Sequence, residues 1–131
     1  FHLARATLTT QGAFERHVGT PFELNKVEFS LLMLVMANPA VTPKRLARAL
    51  AVAAPKLTLL LDALQARSLI QRQRNAADGR SQHVLLTAAG RKLARDAAAA
   101  AEPMERELLG ALSRAEHAML IELLGKLAGR P

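Results

Sequence analysis

Two prolines in the middle of the chain, Pro43 and Pro55, constrain the fold more than any other feature because they fix where two helices begin. Thr42 can cap the first helix with its hydroxyl, and proline is tolerated in the first helical turn, where its missing N–H would be unpaired in any case. The first helix covers residues 43–50, and three residues, 51–53, separate it from the second. This spacing predicts two helices that cross at a tight turn.

A β-hairpin is predicted directly after the second helix, which covers residues 54–67. Residues 69–74 and 82–86 have the pattern of strands, and Asp78-Gly79 between them is a turn signal. The order of helix, short helix, turn, helix and hairpin predicts a winged helix-turn-helix, whose second helix projects into a major groove of DNA. The hairpin is then the wing, which reaches along the backbone to the neighbouring minor groove.

Two helices are predicted before this unit. The first, residues 3–18, is weakly patterned and should end at Gly19-Thr20-Pro21. The second opens at a capping box formed by Asn25 and Glu28, and nearly every side of it is apolar, so it is expected in the centre of the fold. It carries Phe29, Leu32, Met33 and Met36 at the helical spacing i, i+3, i+4 and i+7.

Two helices are also predicted after the hairpin. Thr87 caps a long helix, which Pro103 should kink or divide. Ser113 and Glu116 form a second capping box, which opens the last helix. One side of that helix carries Met119, Leu120, Leu123, Leu124 and Leu127.

Positive charge is concentrated in the helix-turn-helix and the hairpin. Residues 44–95 hold eleven Lys or Arg against two acids, a net charge of +9, whereas the other residues hold seven against nine, a net charge of −2. A basic segment on a nearly neutral body predicts a surface that binds a polyanion such as DNA. The alternative is a basic surface that is merely well solvated.

Composition excludes several other classes of protein. The 131 residues suit one domain, and the absence of Cys rules out disulfides, thiol redox sensing and Cys-ligated zinc. The longest apolar run, residues 31–37, is too short to cross a membrane, and the start of the chain has no signal-peptide pattern. We therefore expect a cytoplasmic protein without a membrane partner, and further residues before Phe1.

The sequence has no pattern typical of catalysis or metal binding. It contains no Ser/His/Asp order, no close pair of catalytic carboxylates and no Gly-rich phosphate loop. We therefore expect neither an enzyme nor a cofactor. The dispersed histidines are interpreted as surface or satisfied side chains rather than metal ligands, and they are His2, His17, His83 and His117.

Several motifs in order resemble the MarR family of transcriptional regulators, over essentially the whole chain. The most specific is the wing, with Arg72 followed by Asp78-Gly79-Arg80, and then Leu86-Thr87-x-x-Gly90 at the start of the long helix. The other matching stretches are LNKVEFSLL at 24–32, TPKRLARAL at 42–50 and LDALQARSLI at 61–70.

The resemblance implies a mainly α fold with a small β-hairpin and a homodimer. Residues 25–99 would form the winged helix-turn-helix core, and residues 1–24 and 100–131 would interlock with a partner as a dimerisation lobe. Such a protein would regulate transcription from a pseudo-palindromic operator on double-stranded DNA, most simply as a repressor. The alternative for the terminal helices is that they fold back on their own subunit.

Helical phase and charge select candidate DNA contacts on the first helix of the pair. Lys44, Arg45 and Arg48 lie on its outer side and are expected to contact phosphates.

The outer face of the second helix has few groups able to make bidentate base contacts. Lys56 and Thr58 flank this face, and Leu59 lies on it where the resembling family often has an arginine. Leu59 could touch thymine methyl groups or be an extra packing residue. We therefore expect affinity to depend mainly on phosphate contacts and the wing.

The wing supplies the remaining candidate DNA contacts. By the resemblance, Asp78 braces the turn and Arg80 enters the minor groove; the alternative is an ordinary Asp-Gly turn with a solvated arginine. Arg72 and Arg74 lie on one face of their strand, and they either grip the DNA backbone or pair with Asp78.

The resemblance also implies a small aromatic or phenolic effector that enters a crevice between the two lobes and releases the DNA. Candidate contacts are Phe14, His17, Phe22 and Met33, with Arg16 as a partner for a carboxylate. The alternative is that these side chains belong to the core or to the plain surface. Two further functions stay open from the sequence, a winged-helix module that binds other proteins and a non-specific DNA-binding protein.

Overall fold

The computed structural model describes residues 1–74, 77 and 79–129 of the chain. Seven α-helices and one two-stranded sheet occur in this described part. In chain order they are α1 (His2–Phe14), a π-helical turn (Glu15–Gly19), α2 (Thr20–Phe22), α3 (Lys26–Ala37), α4 (Pro43–Leu50), α5 (Ala54–Ala66), β1 (Ile70–Arg74), β2 (Gln82–Leu86), α6 (Ala88–Leu109) and α7 (Arg114–Leu127).

The helix-turn-helix is α4 followed by α5, as the prolines predict. The Thr42 hydroxyl accepts the Arg45 N–H at the start of α4. Ala51 then adopts a left-handed conformation, with a φ of 53°, and the Val52 N–H donates to the Ala47 carbonyl at 3.0 Å, which closes the end of α4. The chain bends by 109° between the two helices.

The predicted hairpin is confirmed, with β1 and β2 paired antiparallel from Ile70 opposite Leu86 to Arg74 opposite Gln82. The middle of β2 is anchored because the Val84 N–H donates to the carbonyl of Val41 at 2.8 Å, just before α4 begins. A main-chain hydrogen bond thereby fixes the wing to the helix-turn-helix.

The central position of α3 is confirmed. Of the predicted repeat, Leu32 is buried, and Phe29, Met33 and Met36 are partly buried and pack against the core. Leu31 and Val35 are also buried, because a helix that is apolar on nearly every side packs against the core on more than one face.

The first helical segment does not end at Gly19-Thr20-Pro21. A π-helical turn precedes Pro21, which lies in the first turn of α2, where proline is tolerated. The segment ends instead at Glu23, whose φ is 52°, with the Leu24 N–H donating to the Gly19 carbonyl at 3.1 Å.

Pro103 does not divide the long helix. α6 continues through it as one helix of 22 residues, since proline removes a single N–H and the alanines at 97–101 before it strongly favour helix. The capping box at Ser113 is confirmed, and it opens α7.

The core lies where α3, α5 and α6 meet the base of the wing. Its most deeply buried large side chains are Val18, Leu31, Leu32, Leu46, Leu64, Ile70 and Val84. In the part of the chain that the structure describes, no single helix is long and apolar enough to cross a membrane; α4 and α5 taken together, although bent, meet the length and composition for a span.

Candidate nucleic-acid interface

The cations of α4 form an exposed row on the outer side of the helix-turn-helix. Lys44, Arg45 and Arg48 are all exposed, whereas Leu46 between them is buried. A cleft of about 380 Å³ separates the start of α4 from the wing, and both Lys44 and Arg80 line it. Two predicted DNA contacts from distant parts of the sequence therefore lie at one cationic cleft.

The outer face of α5 is exposed and mostly apolar. Leu57, Leu61 and Leu64 point into the core, while Leu59 is 69% exposed. The interpretation of Leu59 as a packing residue is therefore wrong. Lys56 and Thr58 are also exposed, and the Thr58 hydroxyl donates back to the Ala54 carbonyl at 3.1 Å.

Arg72 connects the wing to α5 by an ion pair that the sequence did not predict. Its terminal nitrogen donates to Asp62 Oδ1 at 2.6 Å, and its Nε donates to Gln65 Oε1 at 2.8 Å. The Arg72 side chain is only 24% exposed. Its guanidinium is thus directed at α5, and this contact fixes the angle between wing and helix.

The outer part of the wing carries the other arginines. Arg74 is exposed at the end of β1, and Arg80 is exposed after Gly79, whose φ of 64° suits a turn. Asp78, the predicted brace, lies outside the described residues, and so does any pairing with it.

Arg67 is a contact residue that the sequence interpretation missed. It caps the C-terminal end of α5 and donates to the Glu23 carbonyl at 2.8 Å and to the Phe22 carbonyl at 3.3 Å. A cation at the carboxyl end of a helix is favoured by the helix dipole, and here the carbonyls lie at the C-terminal end of α2. Nothing in the sequence distinguishes this arginine from the other cations of the basic segment.

The predicted effector residues occupy different environments. Phe14 is 5% exposed and packs edge-on against Phe29, with ring centres 5.8 Å apart, so it belongs to the core. Phe22 is partly buried, and Met33 lines a cavity of about 540 Å³ between α3 and α4.

Arg16 and His17 together hold one carboxylate on α6. Arg16 binds Glu107 Oε1 at 2.5 Å, and His17 Nε2 lies 2.8 Å from Glu107 Oε2. The hydrogen bond from His17, together with the positive charge of Arg16, holds the pKa of Glu107 below its ordinary value, against the opposing effect of partial desolvation. The π-helical turn presents both consecutive residues to α6.

Comparison with known proteins agrees with the motifs. The sequence model of the MarR family matches residues 24–82. The transcriptional regulator HosA of Escherichia coli O157:H7 is 28% identical over 105 residues, which are 80% of this chain and 78% of HosA.

Solved structures extend the similarity to nearly the whole chain. A probable transcriptional regulator from Pseudomonas aeruginosa is 29% identical, with a TM-score of 0.85, over 97% of this chain and 94% of its own. The transcriptional repressor CouR, solved on a 23-mer DNA duplex, is 31% identical, with a TM-score of 0.88, over 97% of this chain and 89% of CouR. With its winged helix-turn-helix and its shared motifs, the chain belongs to the MarR family of DNA-binding transcriptional regulators.

Proposed function

We propose that this chain acts as a homodimeric repressor of a pseudo-palindromic operator and is released by a small aromatic acid. The observation that carries the dimer is α7, which has no buried residue in the single subunit. Five of its large apolar side chains are 46–71% exposed, and they are Met119, Ile121, Leu123, Leu124 and Leu127. A helix of this composition is stable in water only when another surface covers it.

The first helix offers a second surface of the same kind. Leu3 is 63% exposed and Leu8 is 72% exposed. Among the described residues, 1–24 and 100–129 thus carry every exposed large apolar side chain except Leu59, whereas residues 25–99 contain most of the buried core. This division supports a lobe in which the terminal helices of two subunits cover one another, related by a two-fold axis.

A two-fold pair presents two copies of α5 to successive major grooves of one duplex. In this arrangement Lys44, Arg45 and Arg48 neutralise phosphates, with Lys56 beside them at the start of α5. Arg74 and Arg80 extend the contact along the wing. Arg72 acts through Asp62 as a positioning residue rather than as a DNA contact.

The effector is proposed from the contact between Arg16, His17 and Glu107. A small aromatic carboxylate can replace Glu107 as the partner of Arg16, and the partly buried Phe22 is a candidate contact for its ring. The exchange would release α6 from the π-helical turn. In support, DNA binding by Bordetella bronchiseptica BpsR, which is 25% identical with a TM-score of 0.85, is regulated by 6-hydroxynicotinic acid.

Light scattering on the purified chain tests the dimer. We expect two subunits for the natural sequence and one for Leu123→Glu, because a buried carboxylate has no partner there. Glu122→Gln is the control, since Glu122 is an exposed residue that pairs with Lys126 on the side of α7 opposite Leu120 and Leu124. A natural chain that remains a single subunit at micromolar concentration would contradict the proposal.

A competition gel shift tests the operator. The duplex upstream of the chain's own gene should be retained in excess random DNA, and Leu123→Glu should bind it at least about 100-fold more weakly because one half-site is lost. Equal retention of random DNA would instead favour a non-specific binder, and no retention would favour a protein-binding module.

The effector is tested by adding aromatic carboxylic acids, 6-hydroxynicotinic acid among them, to the protein–operator complex. An effective acid should release the duplex and raise the melting temperature of the free protein. Arg16→Gln should abolish the response to the acid and, because it also removes the contact with Glu107, should weaken operator binding when no acid is present. A response that survives Arg16→Gln would place the acid elsewhere, and no release by any acid would refute this part of the proposal.

A further inference from the structure

The outer ridge of α5 is formed by Pro55, Leu59, Asp62 and Ala63, and the polar side chains on and beside it, Lys56 excepted, are already engaged within the chain. Thr58 donates to the Ala54 carbonyl, and both Asp62 and Gln65 accept hydrogen bonds from Arg72. The Lys56 side chain makes no hydrogen bond or ion pair among the described residues, and it lies in the first turn of the helix. Direct hydrogen-bonded readout of bases by this helix is therefore restricted.

Leu59 is the largest apolar side chain on this ridge. It stands one helical turn from Pro55 on one side and from Ala63 on the other, and both neighbours are exposed and shorter. A leucine with 69% of its surface exposed, between small residues, projects from the helix. Folding of the single subunit gains little from it, since most of its side chain stays exposed.

The ion pair between Arg72 and Asp62 removes an electrostatic repulsion between this ridge and DNA. Asp62 is one turn from Leu59 on the same outer face, and an unpaired carboxylate there would repel phosphates. With Arg72 at 2.6 Å the carboxylate is neutralised, and the ridge is then nearly uncharged beyond Lys56. An uncharged apolar ridge can pack against an apolar group in the major groove.

We propose that Leu59 reads the 5-methyl group of thymine, so that the operator has a thymine, or another pyrimidine with a 5-methyl group, at a fixed position of each half-site. In the major groove the thymine methyl is the one apolar group that distinguishes base pairs. The inference rests on the proposed placement of α5 in that groove. It goes further by assigning the specificity of the helix to a methyl contact.

Selection from a random duplex pool, followed by single replacement of thymine by uracil, tests the inference. Uracil removes the methyl group and keeps every hydrogen-bonding atom. We expect one thymine in each half-site at which uracil weakens binding by about four-fold, the effect of losing one buried methyl group. 5-Methylcytosine should bind better than cytosine at the same position by a similar factor.

Two variants assign the effect to Leu59. In Leu59→Ala the uracil and thymine duplexes should bind equally, and the fold is preserved because the residue is exposed. In Leu59→Arg the selected base should change to guanine, whose O6 and N7 accept the two N–H groups of an arginine. Lys56→Gln is the control, since it should weaken binding to all duplexes and keep the four-fold ratio.

The outcomes separate this inference from the proposed operator. If a motif is selected but uracil has no effect at any position, or has the same effect in Leu59→Ala, the methyl contact is refuted while operator binding stands. If no motif is selected at all, the operator is refuted and the inference falls with it.

Discussion

Gly90 lies in the first turn of α6 against the backbone of Leu69, and it explains one motif of the family. Thr87 donates to the Ser68 carbonyl at 2.6 Å and accepts the Gly90 N–H at 2.9 Å. A Cβ added to Gly90 would overlap the Leu69 carbonyl oxygen and would lie 2.8 Å from its carbon. The threonine and glycine of this motif therefore fasten α6 to the base of the wing, and their role is structural.

Gly90→Ala should lower the free energy of unfolding by about 1–3 kcal/mol, because the added Cβ would collide with the main-chain carbonyl of Leu69, which cannot rotate away as a side chain can. Gly125→Ala is the matched control, since no heavy atom lies within 4 Å of its added Cβ. That substitution should be neutral or stabilise by up to about 1 kcal/mol through helix propensity. Urea unfolding of both variants at equal protein concentration measures the difference, and equal stability of the two would show that α6 can move away from Leu69.

At the scale of elements, a single side chain of the wing, Arg72, joins it to α5. Among the described residues of β1 and β2, Arg72 alone forms an ion pair with a helix, and its partners on α5 are Asp62 and Gln65. The positive charge of Arg72 is therefore paired with Asp62 within the protein. Arg74, two residues farther along the same strand, is exposed and makes no ion pair within the described part of the chain.

Substitution of Arg74 and substitution of Arg72 should change the salt dependence of operator affinity differently. Arg74→Gln should reduce the dependence of log affinity on log salt concentration by about 0.9, the contribution of one phosphate contact. Arg72→Gln should weaken operator binding with little change in that slope. Its effect should also be coupled to that of Asp62→Asn by about 1 kcal/mol. Operator affinities measured between about 50 and 200 mM salt give these slopes. If Arg72→Gln also reduced the slope of log affinity against log salt concentration, Arg72 would be a phosphate contact.

Helix starts were predictable because their signals are local. Thr42, Thr87 and Ser113 each cap the helix that follows them, and the capping box at Asn25 forms as its residue types require. The π-helical turn was not predictable. Its wider register appears where Arg16 and His17 face Glu107 on α6, a contact between residues about ninety positions apart.

At the scale of the whole molecule, charge and apolar area are separated. The cationic surface belongs to residues 44–95, and the largest group of exposed apolar side chains belongs to α7. Composition and spacing alone indicate this division, because counting charges along a chain needs no geometry. The partners of individual arginines could not be inferred in the same way, since a long flexible side chain reaches many acceptors and the fold selects among them.

The bonds of Arg67 have a consequence for how this family member can vary. Both of its acceptors, the carbonyls of Phe22 and Glu23, are main-chain atoms. Replacing the side chain of Phe22 or Glu23 leaves these carbonyls in place. The contact between the first helical segment and the C-terminal end of α5 therefore requires a particular residue only at position 67. Substitutions at Phe22 and Glu23 can therefore accumulate in evolution without loss of the connection to α5.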